Sequence, residues 1–388
     1  AAVDHQNRLP NIVLIYADDL GWGDVHANNP DGGKIPTPHM DRVAAEGLTL
    51  TDMHSASAVC SPSRYALLTG RYSWRSRLQR SIVYPNMDYL IDPDRLTLPE
   101  MLNKQGYYSG IVGKWHLGSE YDRAVDEDLP AGPIGDGRHV AKGPLTQGFD
   151  YFYGAYTNGQ TIMIENDREV LNLPQLEDVL PLHTRKAVEF VQQRGGSKIG
   201  NRRVPFFLLF SMTSPHFPLV PSEEWKGRTG MGDYADFVAE TDHSIGNVLA
   251  AIEQVGLEDE TIVIVTSDNG SPGNFALPLQ KQYGHLANGP FRGHKGDIWE
   301  GGHRVPFLVR WPEKVPAGPE SDALVSQIDL IATFASAARA TLPDEAEIDG
   351  VDQLAEFTGT STEPARDRLI ISPNSPKHLT VRKDQWVY

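Results

Sequence analysis

Asn11-Ile-Val-Leu-Ile-Tyr-Ala17, an apolar run followed directly by Asp18-Asp19-Leu-Gly-Trp-Gly23, is the pattern from which the fold class follows. The run is far shorter than the ~20 residues that cross a bilayer, and it is typical of a strand buried on both faces of a parallel sheet. Similar runs lie at 107–112, 205–211 and 261–267. Helical patterns separate them, at 37–47, 97–106, 177–194 and 234–255. The alternation predicts an α/β fold in which helices flank a mostly parallel central sheet.

The composition of the 388 residues, with 40% hydrophobic and 22% charged, predicts an ordinary soluble globular protein. The net charge is −16, from 35 basic and 51 acidic residues, which argues against nonspecific binding to nucleic acids or anionic membranes. The single cysteine, Cys60, excludes an intramolecular disulfide and a cysteine-rich metal site. The start Ala1-Ala-Val-Asp-His5 lacks the features of a signal peptide, and no apolar run predicts a membrane span.

Two predicted strands end in oxygen-bearing side chains. Asp18 and Asp19 follow the first strand, while Asp268 and Asn269 follow the strand at 261–267. Ligand sites of open α/β sheets lie beyond the carboxyl ends of the strands, and adjacent carboxylates suit Ca²⁺ or Mg²⁺. Each pattern read alone is also typical of a solvated turn. Together they predict a site for a hard divalent cation.

Ionisable residues follow the other strands. Lys114 and His116 are two positions apart, so in an extended segment they would point the same way. His216 lies between two prolines, and Lys295 lies in a glycine-rich segment, 289–306. Lysine can hold an anionic oxygen and histidine can move a proton near neutral pH. Surface loops with structural histidines are the alternative interpretation.

Cys60 opens a predicted helix that ends at Gly70. Ser61 is expected to cap it and Pro62 to occupy its first position, so that Cys60 lies at the positive end of the helix dipole, one turn from Arg64. The cysteine could be a buried apolar residue, or a thiolate nucleophile that needs a histidine base, as in a cysteine hydrolase.

The motif Cys60-Ser-Pro-Ser-Arg64, followed by Leu68-Thr-Gly-Arg71, resembles that of the type I, formylglycine-dependent sulfatases, an arylsulfatase-like family of the alkaline phosphatase superfamily. Further segments match the family's motifs in order: Asp18-Asp19, 113–118, 214–216, 267–270 and 293–296. The resemblance implies an alkaline-phosphatase-like α/β domain over 1–340. It also implies a smaller C-terminal subdomain, of which 341–388 would be the start and which is expected to be incomplete here.

The resemblance also implies the roles of the site residues. Cys60 would be oxidised to Cα-formylglycine by a maturation enzyme and, as a hydrate, would attack sulfur. Arg64 would support it, Lys114 and Lys295 would neutralise the sulfate oxygens, and His116 would remove a proton from the second hydroxyl. His216 would protonate the leaving alcohol with help from Lys295. The implied ligands of one divalent ion, usually Ca²⁺ with Mg²⁺ as the alternative, are Asp18, Asp19, modified Cys60, Asp268 and Asn269.

The expected substrate is a sulfated small molecule or glycan, most simply a sulfated carbohydrate, and the family implies a periplasmic or secreted location. Expected substrate contacts are Arg75, Arg77, Asn158, Gln160, Arg292, His294 and His303, although ordinary surface loops would explain these segments as well. Two other functions stay open. One is phosphonate or phosphodiester hydrolysis on the same scaffold, and the other is sulfated-glycan binding without catalysis, with Cys60 unmodified.

Overall fold

The computed structural model describes residues 8–84, 87, 89–121, 139–173, 175–374, 378–383 and 386–388. The opening segment 1–5, on which the signal-peptide expectation depends, lies outside these ranges. In chain order the strands are β1 (Asn11–Ala17), β2 (Leu48–Leu50), β3 (Met53–His54), β4 (Tyr108–Lys114), β5 (Glu120–Tyr121), β6 (Val140–Lys142), β7 (Tyr151–Ala155), β8 (Ile162–Glu165), β9 (Arg168–Asn172), β10 (Lys198–Ile199), β11 (Arg202–Arg203), β12 (Phe206–Ser211), β13 (Thr261–Ser267), β14 (Phe307–Arg310), β15 (Glu320–Ser321), β16 (Val325–Ser326), β17 (Arg368–Ile371), β18 (Thr380–Lys383) and β19 (Trp386–Val387). The helices are α1 (Pro38–Glu46), α2 (Cys60–Thr69), α3 (Leu98–Asn103), α4 (Val179–Gly195), α5 (Asp233–Gln254), α6 (Gly273–Tyr283), α7 (Glu300–His303), α8 (Leu330–Ala337) and α9 (Leu354–Phe357).

The central sheet has the order β15-β2-β14-β13-β1-β12-β4-β7-β8-β9. Its middle strands, β13-β1-β12-β4-β7, are all parallel. Strand β14 is antiparallel to both of its neighbours, and so is β8, while the edge strand β15 pairs in parallel with β2. The predicted strands and helices are found within a few residues of their expected bounds, and the α/β prediction is confirmed.

Helices cover both faces of the sheet, which explains why its strands read as continuous apolar runs. Along β1, Ile12 and Leu14 point into a core shared with α2, α3 and α8. Val13 and Ile15 point to the opposite face, into a core shared with α1, α4 and α5. No helix in the described part of the chain is both long and apolar enough to span a bilayer.

Strands β17, β18 and β19 form a separate antiparallel sheet near the C-terminus. Arg382 of β18 ties this sheet to the main body, since its Nη1 lies 2.5 Å from Oδ1 of Asp52 and 2.7 Å from Nε2 of His54. A small C-terminal sheet agrees with the expected subdomain, while the boundary at residue 340 stays a prediction.

Candidate active site

The carboxyl ends of two neighbouring strands bring four oxygen-bearing side chains together. Strands β1 and β13 pair in parallel over their full length, so Asp18 and Asp19 emerge beside Asp268 and Asn269. The backbone N–H of Asp19 donates to Oδ1 of Asp268 (3.1 Å). Asp19 has a left-handed backbone, with φ of 68°, which is uncommon for a residue other than glycine. All four side chains are buried, and the expected cation ligands thus share one edge of the sheet.

Two buried cations contact these carboxylates. Arg64, on α2, donates from Nη2 and Nε to Oδ2 of Asp268 at 2.8 and 3.2 Å. Lys114, the last residue of β4, donates from Nζ to Oδ2 of Asp18 at 2.6 Å. Ser211 links the two cations, because its Oγ accepts from Arg64 and donates to the carbonyl of Lys114, both at 2.6 Å. Ser211 therefore ties the guanidinium of Arg64 to the backbone at the end of β4.

Lys295 is a third cation and reaches the site from the segment between α6 and α7. Its Nζ lies 2.6 Å from Oδ1 of Asp19. Burial opposes the charged form, but Asp19 outweighs it and raises the pKa of Lys295 above its ordinary value. Lys295 is therefore cationic at neutral pH and could also hold an anionic substrate oxygen.

The carboxylates repel one another despite these partners. Burial, and then the negative charge of Asp18, raises the pKa of Asp268 to about 7. Burial also disfavours the charged form of Asp18, but Lys114 and further cations hold the pKa of Asp18 well below its ordinary value. A dication between the two groups would favour the charged form of both.

Asn269 offers a direct test of whether these residues fit a cation. Its Nδ2 donates to Oδ1 of Asp19 (2.7 Å) and to the carbonyl of Gly270 (3.0 Å). Its Oδ1 is buried and has no hydrogen-bond partner among the described residues, although a buried unpaired acceptor is costly. Carboxylate and amide oxygens are the ligands that Ca²⁺ and Mg²⁺ prefer, so the donor set fits a hard divalent cation.

Cys60 is the first residue of α2 and is almost fully buried. Its Sγ lies 3.7 Å from Oδ1 of Asp18, beside the expected cation ligands. Burial, followed by the negative charge of Asp268, raises the pKa of the Cys60 thiol to about 12. Unmodified Cys60 is thus a neutral thiol at pH 7, which argues against the cysteine-hydrolase interpretation.

The start of α2 differs from the prediction in two respects. The helix begins at Cys60 itself, so Ser61 is not the capping residue and Pro62 is the third residue of the helix, not the first. Its Oγ instead donates to the carbonyl of His116 (2.9 Å) and accepts from the backbone N–H of Val83 (3.0 Å). The Ser61 hydroxyl is used in tertiary hydrogen bonds instead of a helix cap, and these bonds join α2 to the segment that carries His116. The end at Gly70 is confirmed, with φ of 65°.

His116 lies just beyond β4, and the extended geometry predicted for 114–116 is wrong. His116 adopts a left-handed backbone, with φ of 61°, and its N–H donates to the carbonyl of Tyr156 (2.7 Å). Burial, followed by the charge of Lys114, holds the pKa of His116 well below its ordinary value. Its Nδ1 has no partner within the described ranges. His116 is therefore a neutral imidazole that can accept a proton.

His216 approaches the same centre from the loop after β12. Its Nδ1 contacts the carbonyl of Phe217, and its Nε2 lies 3.6 Å from Oδ2 of Asp19. Burial lowers the pKa of His216 from its ordinary value. The loop is tied to β1 because the N–H of Asp18 donates to the carbonyl of Ser214 (2.9 Å). The free nitrogen of His216 consequently faces the carboxylate cluster.

Asn158 is the one expected substrate contact that touches the cluster directly. Its Nδ2 donates to Oδ2 of Asp18 (2.8 Å), and its buried Oδ1 lacks a partner among the described residues. Gln160 instead closes a turn, since its Oε1 accepts from the N–H of Thr157 (3.2 Å). Both residues line a small cleft that His216 also borders.

The remaining expected contacts have other partners in the structure. The guanidinium of Arg75 pairs with Asp349 (2.5 Å), and Arg77 donates to the carbonyl of Tyr89 (2.9 Å). These contacts hold the two exposed arginines against neighbouring chain segments, and their role as substrate contacts stays a prediction.

The segment before and within α7 carries the last three expected contacts. Arg292 lies over the ring of Trp299, with Cζ 3.8 Å from the ring centroid, and Nδ1 of His294 contacts Nδ2 of Asn288 (3.0 Å). His303 departs from the prediction, because it is buried and its Nδ1 contacts Nδ1 of His54 (2.9 Å). Burial lowers the pKa of His303 to about 3, so it is a neutral structural histidine and not a surface contact.

Two residues of the site were not identified from the sequence. Ser211 ends β12, so the rule that strand ends carry function could have found it. Tyr234 lies in α5, and its hydroxyl contacts Oδ2 of Asp24 (2.6 Å) and Oγ of Ser271 (2.8 Å). Nothing in the helical pattern of α5 distinguishes Tyr234 from an ordinary core tyrosine, so only its tertiary partners reveal it.

Comparison with known proteins shows the family to which the chain belongs. The sulfatase family model matches residues 10–340. The chain is 30% identical to the N-acetylgalactosamine-6-O-sulfatase of Bacteroides thetaiotaomicron, over 98% of this chain and 82% of that protein. It is 34% identical to the N-acetylgalactosamine-6-sulfatase of Mus musculus, over 89% of this chain. The chain spans 65% of the mouse protein's length.

Solved structures resemble the fold closely. A structure from work on the metabolism of multiple glycosaminoglycans by Bacteroides thetaiotaomicron has a TM-score of 0.86 at 29% identity, covering 98% of this chain and 88% of that one. The phosphonate monoester hydrolase of Agrobacterium radiobacter has a TM-score of 0.65 at 18% identity, covering 98% and 86%. That second likeness extends to the fold alone.

Proposed function

Because this chain belongs to the sulfatase family of the alkaline phosphatase superfamily and is a sulfuric ester hydrolase, we propose that it removes the 6-sulfate of an N-acetylgalactosamine residue in a glycan. The choice of sugar and position follows the bacterial and mammalian relatives. The observation that carries the chemistry is one buried site in which carboxylates, an amide oxygen, three cations and two histidines surround Cys60. The products are the free sugar hydroxyl and inorganic sulfate.

We propose that a maturation enzyme oxidises Cys60 to Cα-formylglycine and that Asp18, Asp19, Asp268 and Asn269 hold Ca²⁺, with Mg²⁺ as the alternative. The unpartnered Oδ1 of Asn269 and the raised pKa of Asp268 support a bound cation. When present, the hydrated aldehyde supplies a nucleophilic hydroxyl and the cation favours its ionised form.

The cationic side chains would bind and orient the sulfate group. The Nζ atoms of Lys114 and Lys295 each lie 2.6 Å from a carboxylate of the cluster, so their remaining donors can contact sulfate oxygens at the same place. Charge that builds on those oxygens during ester cleavage would be stabilised by donors already in position. The overall charge of −16 does not oppose this, because the local field decides binding at a buried site.

The two histidines would divide the proton transfers. His216 presents Nε2 to the site because its Nδ1 is engaged by the carbonyl of Phe217, and we assign the delivery of a proton to the leaving sugar oxygen to the protonated form of His216, with help from the cationic Lys295. His116 is neutral because burial and Lys114 lower its pKa, and we assign it the removal of a proton from the second hydroxyl at position 60. General acid–base steps of this kind contribute typically 10²–10⁴-fold to rate.

Release of inorganic sulfate from defined saccharides tests the proposal. We expect the 6-sulfate of N-acetylgalactosamine to be released faster than the 4-sulfate, and an aryl sulfate to be cleaved faster than the matched aryl phosphate. Faster phosphate release would instead favour the phosphonate or phosphodiester hydrolase, for which the shared fold is the supporting observation. Equal release from the 4- and 6-sulfates would refute the assigned position.

Mass analysis of the peptide that contains Cys60 tests the modification. Formylglycine is about 18 Da lighter than cysteine, because the thiol is replaced by an aldehyde oxygen. Cys60→Ser should abolish turnover while calcium binding persists, since the oxygen ligands remain. A fully active Cys60→Ser variant would overturn the mechanism, and an active enzyme whose Cys60 is unmodified would do the same. A chain that binds sulfated glycan without turnover, even when modified, would be a non-catalytic binder.

We also infer a periplasmic or secreted location, as expected for enzymes that meet extracellular glycans. Activity in the cytoplasmic fraction of the native source, with none outside it, would contradict this location.

A further inference from the structure

Phe217 is a large aromatic side chain that is 63% exposed, immediately after His216. Scattered exposed apolar residues are common. An exposed phenylalanine adjacent in sequence to a residue of the active centre is a different case, because exposed apolar surface near a polar site often marks binding of a ligand.

The ring of Phe217 is held in place from behind. It stacks on Phe275 of α6, with centroids 6.5 Å apart and planes inclined by 15°. Phe275 stacks in turn on Tyr234, at 5.7 Å and 19°. The hydroxyl of Tyr234 lies 3.3 Å from the carbonyl of Asp19. A continuous aromatic stack therefore connects the exposed ring to the loop that carries the carboxylates.

The chain on both sides of Phe217 restricts its movement as well. Pro215 and Pro218 flank the dipeptide of His216 and Phe217. Proline fixes its own φ, and it also restricts the residue that precedes it. The carbonyl of Phe217 is engaged by Nδ1 of His216. The exposed ring is thus attached to a rigid segment and not to a mobile loop.

The position of this ring relative to the reaction follows from His216. The proposed function assigns His216 to the leaving sugar oxygen, and consecutive Cα atoms are about 3.8 Å apart. The stack through Phe275 and Tyr234 also connects the Phe217 ring to the carbonyl of Asp19. The alcohol part of the substrate, on the His216 side of the site, would therefore lie towards this ring, while the sulfate lies among the lysines.

We propose that Phe217, supported by Phe275, is a platform on which a pyranose ring of the glycan stacks, on the leaving-group side of the ester. This inference rests on the proposed function. The axial C–H groups of a pyranose carry partial positive charge and pack against the negative face of an aromatic ring. The platform would bind the saccharide independently of its sulfate.

A second exposed ring, Trp299, lies four positions after Lys295 in the chain but has one face occupied. One of its faces is covered by the guanidinium of Arg292, with Cζ 3.8 Å from the centroid. Phe217 has one face against Phe275, and most of its surface remains in contact with solvent. Of the two rings, only Phe217 therefore has no cation over its exposed face, and this face can contact a sugar.

Binding of an unsulfated disaccharide that contains N-acetylgalactosamine, followed by ligand-observed NMR on the mature enzyme, tests the platform. Phe217→Ala should raise the Kd about tenfold, which corresponds to about 1.4 kcal/mol and to the usual size of one stacking contact. Phe217→Trp should retain near-wild-type affinity. Ile199→Ala, which removes an apolar side chain of similar exposure on the β10–β11 hairpin, should leave the Kd unchanged.

The outcomes separate this inference from the function on which it rests. An equal Kd for Phe217→Ala and wild type, or no saccharide binding by wild type, would overturn the platform. Saccharide binding that depends on Phe217, without release of sulfate from any sulfated hexosamine, would overturn the proposed function and retain the platform.

Discussion

His183, in α4, is a buried histidine whose two ring nitrogens have no hydrogen-bond partner among the described residues. Its ring packs edge-on to Tyr153, with centroids 6.4 Å apart. Burial alone lowers the pKa of His183 to about 4, from an ordinary value of 6.5. The folded protein therefore accepts only the neutral form over a wide range of pH, and we expect His183→Leu to change how stability depends on pH.

The sign follows from comparing proton uptake in the two states. As pH falls below 6.5 the unfolded chain protonates His183 while the folded protein does not, so stability decreases until the pH reaches about 4. The pKa of His183 is about 6.5 in the unfolded chain and about 4 in the folded protein. At about 1.4 kcal/mol per pKa unit, this difference lowers the free energy of unfolding by about 3 kcal/mol at low pH. At pH 7 the unpaired nitrogens already cost the fold about 1 kcal/mol or more, which leucine of similar volume avoids.

Guanidinium unfolding of both proteins at pH 7.0, 6.0, 5.0 and 4.5 measures the effect. The stability of His183→Leu relative to wild type should grow steadily as the pH falls, approaching the ~3 kcal/mol gain near pH 4. Leu379→Ala, at an exposed position without an ionisable group, should show a difference that does not vary with pH. A constant difference for His183→Leu as well would mean that the folded protein protonates His183 normally, and the reasoning from burial would fail.

Three further predictions concern the metal site, the C-terminal sheet and α2. Asn269→Ala should weaken Ca²⁺ binding by at least about tenfold in calorimetric titration, because it removes an oxygen ligand; unchanged affinity would place the ion elsewhere. Arg382→Ala should lower the free energy of unfolding by about 2 kcal/mol, the usual size of a hydrogen bond between charged groups, since Asp52 loses a partner 2.5 Å away but keeps Arg304 and His54. Replacement of the exposed Arg368 of the same sheet by alanine should leave the free energy of unfolding nearly unchanged, because exposed ion pairs contribute little, and equal losses for the two variants would contradict the argument. Gly70→Ala should destabilise by more than about 2 kcal/mol, because it combines a positive φ with a Cβ 2.4 Å from a side chain of α8. Gly106→Ala, with positive φ and open space around the Cβ among the described residues, should cost only the backbone part, and thermal unfolding of both variants would separate the two contributions.

The central strands could be predicted because their signal is local. A strand covered by helices on both faces, such as β1 with Leu14 and Val13 in opposite cores, must be apolar at every position. The expectation that its carboxyl end carries Asp18 as a site residue followed from topology alone. The C-terminal subdomain was instead expected from the family resemblance, and the structure has a small antiparallel sheet there.

Predictions from local sequence patterns were wrong where a side chain makes its hydrogen bond to a segment far away in the chain. Ser61 has the spacing of a helix cap, yet its hydroxyl contacts His116, 55 residues away in sequence. His303 looks like a loop residue in a basic, glycine-rich segment, yet it packs against His54, 249 positions earlier. Neither partner can be inferred from neighbours in the chain.

The order of residues thus determined the fold class, the helix on which Cys60 lies and the strand ends that meet at one edge, because hydrophobic periodicity and strand polarity are properties of short segments. Only the tertiary structure decided the environment of each group. It is burial beside Asp268 that keeps Cys60 a neutral thiol, and it is pairing of Asn269 Nδ2 with Asp19 that leaves an amide oxygen for a cation. These outcomes depend on desolvation and on distances between segments far apart in the chain, and no local pattern encodes either.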